Sequence, residues 1–416
     1  MGKHGELIIV GDEVLDGRVL NENAHFFSSC LSAIGLGLSC ITTVGDDPAY
    51  LEKVLGRAVE RSAFVLVTGG LGPTEDDRTT AVAAQAFNRP LSVRPDLLAH
   101  IRSVCQAAGQ EAGPLEKLAW LPQGAKPLNP KGRYCGFSLK QGQSLIFFLP
   151  GVPAEARELF DEVVASNLLK ALTAAPLLLR RTIKMVGLAE SEAAGRLEET
   201  LAAFPEIIFG SYPNFPEVHL SLTVSGTKQD RLEETLNRAE AEIMARVGQF
   251  VFGRDEETLA GIVGRLLKRQ GLTLAVAESC TGGMLAQSIT ALPGASDYFI
   301  EGVVSYANQA KVDLLGVDPE LIETHGAVSA QVAQAMAEGL RERSRVGLAL
   351  STTGIAGPTG GTAAKPVGLV YFGLAGGGPT QVAKRRFSGS RGQIQAQAAA
   401  ASLELLRRRL ILGQER

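Results

Sequence analysis

Four side chains able to carry nucleophilic catalysis without histidine fall where strand-like runs finish: Ser279, Tyr306, Lys311 and Thr353. Ser279 lies in the turn Ala277-Glu278-Ser279-Cys280-Thr281-Gly282-Gly283, entered by the apolar run 272–276 and left by the helix-like run 284–291. A hydroxyl at such a turn stands clear of a sheet, beside helix N-terminal amides that can stabilise developing negative charge. Lys311 follows Tyr306 by one turn of the next predicted helix. A lysine lodged against apolar walls loses its proton readily and can act as base toward a serine. Tyr306 can relay that proton or orient the lysine. Turn amides and Thr353 can stabilise an oxyanion, a contribution often worth about 3–4 kcal/mol per donor removed. Cys280 is a competing nucleophile, because a helix N-terminus lowers a thiol's pKa. Plainer readings exist: Ser279 or Thr281 as a helix cap, glycines relieving a turn, Tyr306 in packing and Lys311 on a solvated face.

A second constellation lies near the start. Gly11-Asp12-Glu13, Gly45-Asp46-Asp47 and the stretch from Gly69 to Asp77 each follow an apolar run. Glycine amides can cradle phosphate, whereas carboxylates repel it unless a divalent cation intervenes. Single motifs of this kind are turns and helix caps. Three at successive strand ends predict a cleft for a phosphate-containing ligand plus a metal.

The elements that must position these groups follow from periodicity. Runs 7–10, 41–44 and 64–67 read as buried strands, with helices between them carrying Phe27, Leu31 and Ile34, then Leu51, Val54 and Leu55. Strands alternating with helices imply α/β architecture and a doubly wound parallel sheet, whose ligands bind beyond the carboxyl ends of the strands. A helix over 154–170 and a linker over 171–176 close this part. The middle segment reads as a small α+β domain, with strands 182–186 and 218–224, helices from 191 and 232, and a short connection over 250–255. His219 is read there as a strand residue. The remainder alternates again, with strands ending near Ser279, Tyr306 and Thr353 and a closing helix from 393. The expected domains are 1–170, 171–253 and 254–416.

Composition excludes several classes. The chain has 416 residues, 45% apolar and 20% charged, and a formal net charge of -3, which argues against a general nucleic-acid or membrane-surface binder. Its five cysteines form no Cys-x-x-Cys pair and its five histidines no metal motif, so reduced cysteines in a cytoplasm are the simple reading. Glu6 enters a strand-like run at once, leaving no room for a signal peptide. Myristoylation is unsupported at Gly2, and no apolar run is long enough to span a bilayer.

The motifs resemble the CinA family over essentially the whole chain. Gly11-Asp12-Glu13, Gly69-Gly70-Leu71-Gly72-Pro73-Thr74 with Asp76-Asp77, and Leu149-Pro150-Gly151-Val152-Pro153 look like the molybdopterin-binding-type domain that opens CinA proteins. The middle segment resembles their KH-like domain, although it shows neither the Gly-x-x-Gly loop of RNA-binding KH domains nor a basic patch. The Ser279 turn, Gly302-Val303-Val304-Ser305-Tyr306-Ala307-Asn308 through Lys311, His325-Gly326-Ala327-Val328-Ser329 and Thr353-Gly354-Ile355-Ala356-Gly357-Pro358 look like their C-terminal domain, in the family's order and spacing. Three departures stand out: Asp12 where the family has Thr, Arg133-Tyr134 where it has Thr-Ala, and Ser390 where it has Asp.

The resemblance implies two activities on breakdown products of NAD. The C-terminal domain would be a nicotinamide mononucleotide deamidase, without a cofactor. Ser279 would be its nucleophile, Lys311 its base and Tyr306 an assistant, with Thr353 holding the carboxamide. Cys280, Thr281, Gly282, Gly283 and Gly354 would line the substrate, and Arg391 would meet its phosphate. The first domain would be a metal-dependent ADP-ribose pyrophosphatase. Gly69, Gly70, Gly72, Thr74 and Asn23 would lie around its ligand, and Glu13, Asp46, Asp47, Asp76 and Asp77 around a divalent metal, with potassium as an accompanying candidate. Arg133 could pair with a phosphate. A homodimer, small-molecule nucleotides as the only ligands, and no nucleic-acid or membrane partner complete the expectation. Two alternatives remain open: a first domain that only binds a molybdopterin-like or nucleotide ligand, and a non-enzymatic competence or DNA-damage partner.

Overall fold

The computed structural model describes residues 4–129, 136–172 and 177–412. Four linker positions, 173–176, and the loop holding Arg133 and Tyr134 lie outside the described residues. The chain divides into two compact units, residues 1–179 with 225–232, and residues 180–224 with 233–416.

In the first unit the main elements are β1 (His4–Val10), α1 (Glu22–Ala33), β2 (Gly37–Val44), α2 (Pro48–Arg61), β3 (Phe64–Thr68), β4 (Phe137–Gln141) and β5 (Ser144–Leu149). β2, β1, β3 and β5 run parallel in that order, and β4 extends the sheet antiparallel beside β5. Residues 7–10 of β1 are an unbroken apolar run because both faces of the strand are covered there. Ile8 and Val10 enter a core with Val65, Val67 and Phe148, while Leu7 and Ile9 enter another with Phe27, Leu31 and Leu66. Asn21 caps α1 by accepting from the Ala24 amide at 3.0 Å. Ile34, expected within that helix, is its C-cap. The Gly11, Gly45 and Gly69 turns all leave the carboxyl end of this sheet.

The second unit carries two sheets. The first unit also contains the short helix α3 (Thr79–Ala86), and the first elements of the second are β6 (Leu177–Val186), α4 (Glu190–Ala202), β7 (Ile208–Asn214), β8 (Glu217–Gly226), α5 (Gln229–Val247) and β9 (Val251–Arg254). The strand order is β7-β8-β6-β9. Two of these strands escaped the sequence reading. β7 contains Gly210, Pro213 and Asn214, types depleted in strands, and exists through its ladder with β8. β9, expected as a connection, pairs antiparallel with β6.

Then follow α6 (Leu259–Gln270), β10 (Leu274–Glu278), α7 (Met284–Thr290), β11 (Phe299–Val304), α8 (Asn308–Leu315), α9 (Ala330–Ser344), β12 (Leu348–Gly354), β13 (Leu369–Ala375), β14 (Gln381–Arg386) and α10 (Arg391–Leu412). The sheet order is β11-β10-β12-β13-β14, the first three parallel and the last two antiparallel. The parallel strands finish at one edge, so Glu278, Val304 and Gly354 open onto the same crevice.

The helix that carries Lys311 is held by a backbone contact. A Cβ at Gly339 of α9 would sit 1.7 Å from the carbonyl oxygen of Leu315, the last residue of α8. Main chain cannot yield as a side chain can. Gly339→Ala is therefore expected to cost about 2–3 kcal/mol in urea unfolding. Gly195→Ala, within α4 and with open space around it, should be neutral or stabilising by up to about 1 kcal/mol.

Candidate active site

The end of β10 and the start of α8 bring Ser279 and Lys311 together. Lys311 Nζ lies 3.1 Å from Ser279 Oγ, 2.8 Å from the Ser305 carbonyl oxygen and 3.2 Å from that of Tyr306. The lysine is 1% exposed and forms no ion pair among the described residues. Loss of hydration lowers its pKa from the ordinary lysine value, with the neighbouring Cys280 acting in the opposite sense. The two carbonyls can only accept. A neutral amine therefore spends both protons on them, which turns its lone pair toward the Ser279 hydroxyl.

Other expected members are placed differently. The Tyr306 phenol does not touch the lysine. It accepts from Arg391 Nη2 at 2.7 Å, and Tyr306 orients Lys311 through its main-chain carbonyl instead. Arg391 Nη1 also donates to the Gly357 carbonyl at 2.8 Å, so the guanidinium is fixed without an acidic partner at Ser390. Thr353 is buried, and its hydroxyl donates to the Ala327 carbonyl at 2.7 Å, so it is committed away from the nucleophile. The threonine that reaches the turn is Thr352, 2.8 Å from the Thr281 hydroxyl. Gly354 is in register with Val370 at the end of β12.

Neither Ser279 nor Thr281 caps α7. That position is Gly283, in the left-handed region at φ 101°, preceded by Gly282 at φ 64°. A Cβ would find room at either, so backbone conformation rather than crowding requires glycine. The helix end is instead filled by Glu278, which is fully buried and accepts from the amides of Gly283 (2.9 Å), Leu285 (3.1 Å) and Ala286 (2.7 Å). The helix amides expected to face the reaction are thus taken. Among the described residues the amides of Thr281 and Gly282 donate to no protein group. Cys280 is buried in an apolar cluster, and burial pushes its thiol up to about 12, so the helix end does not make it a thiolate near neutral pH.

In the first unit a cleft of about 660 Å³ opens at the carboxyl end of the sheet, lined by Glu13, Asp46, Gly69, Gly70, Gly72, Asp76 and Asp77. Asp12 and Asp46 lock the floor reciprocally, each accepting from the other's amide at 3.2 Å. Burial raises the Asp46 pKa, and the charges of Asp12, Glu13 and Asp76 add to the rise. A cation would relieve that repulsion. Among the described residues, however, no three acidic, histidine or cysteine side chains converge to hold a metal. The donor set fits a hard cation bound by one or two carboxylates and completed by ligand phosphates.

Two expected participants are otherwise engaged. Asp47 is not in the cleft lining and caps α2 through the Tyr50 amide at 2.9 Å. Thr74 bonds to Asp77 through both its amide, at 3.0 Å, and its hydroxyl. Asn23 donates to Thr68 Oγ1 at 3.0 Å and to the carbonyl of Gly151, on the cleft wall, at 2.9 Å, which leaves its buried Oδ1 without a partner. A buried amide oxygen in that state suits a hydroxyl-bearing ligand or water.

Three family profiles cover most of the chain: a probable molybdopterin binding domain over residues 6–171, the damage-inducible protein CinA KH domain over 180–253 and the CinA C-terminal domain over 256–410. A putative competence-damage inducible protein of Symbiobacterium thermophilum is 42% identical over 419 residues, 98% of each chain. The chain belongs to the CinA family. A CinA-like protein of Desulfotalea psychrophila is 40% identical over 408 residues, again 98% of each. A solved CinA superfamily protein from Klebsiella pneumoniae covers 37% of this chain and 96% of its own, with 33% identity and a TM-score of 0.36. Among the described residues no helix is long and apolar enough to cross a membrane.

Within this CinA-family site, sequence reasoning overlooked Glu278, Thr352, Ser305 and Gln395, whose Nε2 donates to the Cys280 carbonyl at 2.9 Å. Only Glu278 left a signal: an acid directly ahead of a helix start. Glu278→Gln keeps one acceptor but sets an NH2 group against amide donors. We expect it to cost about 1–3 kcal/mol in urea unfolding, and Glu278→Ala at least as much.

Proposed function

We propose that the C-terminal domain hydrolyses the carboxamide of nicotinamide mononucleotide to the carboxylate, with release of ammonia. The observation that carries this reading is the desolvated Lys311 amine 3.1 Å from the Ser279 hydroxyl, with its other polar contacts being two carbonyl oxygens. Lys311 takes the Ser279 proton as Oγ bonds to the carboxamide carbon. The resulting oxyanion is met by the turn amides left free, those of Thr281 and Gly282. The C–N bond then breaks as Lys311 returns the proton to the leaving nitrogen. Water, deprotonated by the same amine, cleaves the acyl-serine and restores the hydroxyl. Arg391, held by Tyr306 and Gly357, retains N–H groups for the nucleotide phosphate.

Incubating the whole protein with nicotinamide mononucleotide and measuring ammonia tests this. Ser279→Ala and Lys311→Ala should each lower the rate by about 10²–10⁴-fold. Lys311→Arg, which keeps the charge but cannot serve as base, should be equally impaired. Cys280→Ala should remain within a few-fold of the parent. Undiminished ammonia release by both the Ser279 and Lys311 variants would rule the assignment out. Because the working form of Lys311 is neutral and burial lowers its pKa, kcat/KM should rise with pH through a value below the ordinary lysine range and then level off.

The cleft of the first unit favours a second activity, metal-dependent cleavage of ADP-ribose. Asp46 and Glu13 would hold a divalent cation, which would supply charge neutralisation at the pyrophosphate. Asp46→Asn combined with Asp76→Asn should abolish metal-dependent ADP-ribose cleavage and leave ammonia release unchanged. No cleavage by the parent with any divalent metal would leave this domain as a ligand-binding module.

A further inference from the structure

The second unit also holds a cavity of about 700 Å³ that does not include Ser279 or Lys311 in its lining. One wall is the face shared by β13, β14 and α10, and the other is the corner between β6 and α4 with the β7–β8 turn. Phe215, Phe250, Phe372 and Phe387 line it, with the small residues Ala383 and Ala401 leaving the space between them. Volume and lining are those of a small-molecule site, mostly apolar with few polar groups.

The wall carries three carboxylates, Glu190, Glu217 and Glu404, and two guanidiniums, Arg385 and Arg408, of which Arg385 alone lacks an offsetting neighbour among the described residues. Glu217 is bonded to His219 at 2.7 Å, and Glu404 is held by Arg407 and Arg408 at 2.7 and 2.6 Å. Glu190 occupies the first turn of α4, where the helix end offsets its charge. Arg385 has no carboxylate partner among the described residues, and its one hydrogen bond found is a 3.3 Å contact with the adjacent Lys384 carbonyl. An exposed guanidinium at the rim of an aromatic cavity selects a ligand with an anionic group.

The same wall is the back of the catalytic turn. Phe372 belongs to a buried cluster with Cys280, Ile394 and Ala398, against which Ala383, Phe387 and Ala401 pack. α10 grips the turn through Gln395 and faces the cavity with Ala400 and Ala401. We propose that this cavity binds a small molecule with a flat apolar body and a single anionic group, and that its occupation alters the setting of the Ser279 turn.

Anilinonaphthalene sulfonate, an aromatic anion, is a suitable probe for the full chain. Fluorescence titration should saturate at one site per chain. Ala401→Trp, which fills the cavity, should abolish binding, and Arg385→Gln should weaken it at least about tenfold. Arg385 is exposed, so that arm survives if the tryptophan variant fails to fold. Hydrogen exchange of amides 279–286 should slow on adding the probe to the parent and not to Ala401→Trp. Both measurements are made without substrate, so they stand or fall apart from the reaction proposed above. Equal affinity in the parent and Arg385→Gln would overturn the site. Binding at the site with unchanged exchange over 279–286 would overturn its link to the turn.

Discussion

The second unit is organised around an amine taken out of water. Lys311 gives up its hydration, which lowers its pKa from the ordinary lysine value, and receives two carbonyl oxygens and a serine hydroxyl in return. That exchange is tolerable only if each acceptor is held still. Ser305 is fixed by its amide, which donates to the Glu278 carbonyl at 2.8 Å, and Ser279 by its amide on the Thr352 carbonyl at 3.0 Å. The three parallel strands β11, β10 and β12 therefore converge on the lysine through main chain. Polar pairing rather than apolar packing sets the geometry at this point.

Glu278 shows how the fold separates structure from chemistry. Its carboxylate neutralises the positive end of α7 and fixes the helix to the strand that carries the nucleophile. The cost is that those helix amides are no longer available for a reaction intermediate. At the turn itself, the left-handed Gly282 and Gly283 hold the chain away from α-helical pairing. Burial of the adjacent Cys280 thiol in an apolar cluster raises its pKa.

The two units solve opposite electrostatic problems. The buried site of the second unit lowers the Lys311 pKa by excluding water. In the cleft of the first, burial and then the neighbouring charges of Asp12, Glu13 and Asp76 raise the Asp46 pKa, and among the described residues the carboxylates do not converge on a point. The buried Asn23 oxygen, next to the Gly151 carbonyl on the cleft wall, is left without a partner.

The alternation of apolar runs and polar turns was enough to read the α/β class and to place Ser279 and Lys311 near strand ends, because parallel strands separated by helices must end at one edge; their pairing rested on the family resemblance. The resemblance read from those motifs was to the CinA family, to which the chain belongs. Strands β4 and β5 were not read, nor were β7, where Gly210, Pro213 and Asn214 break up its strand-forming residues, and β9, whose four residues are too few to tell from a connection; each is extended because a neighbour completes its ladder. The partners of individual side chains were equally hidden. Whether Tyr306 meets the lysine by its phenol or its carbonyl, whether Thr352 or Thr353 faces the turn, and whether Asp47 caps a helix or joins the cleft depend on side-chain direction at single positions. Sequence spacing determines which strand end a residue occupies. Only the tertiary structure decides which way its polar atoms turn, because that is settled by the nearest unpaired donor or acceptor on another element.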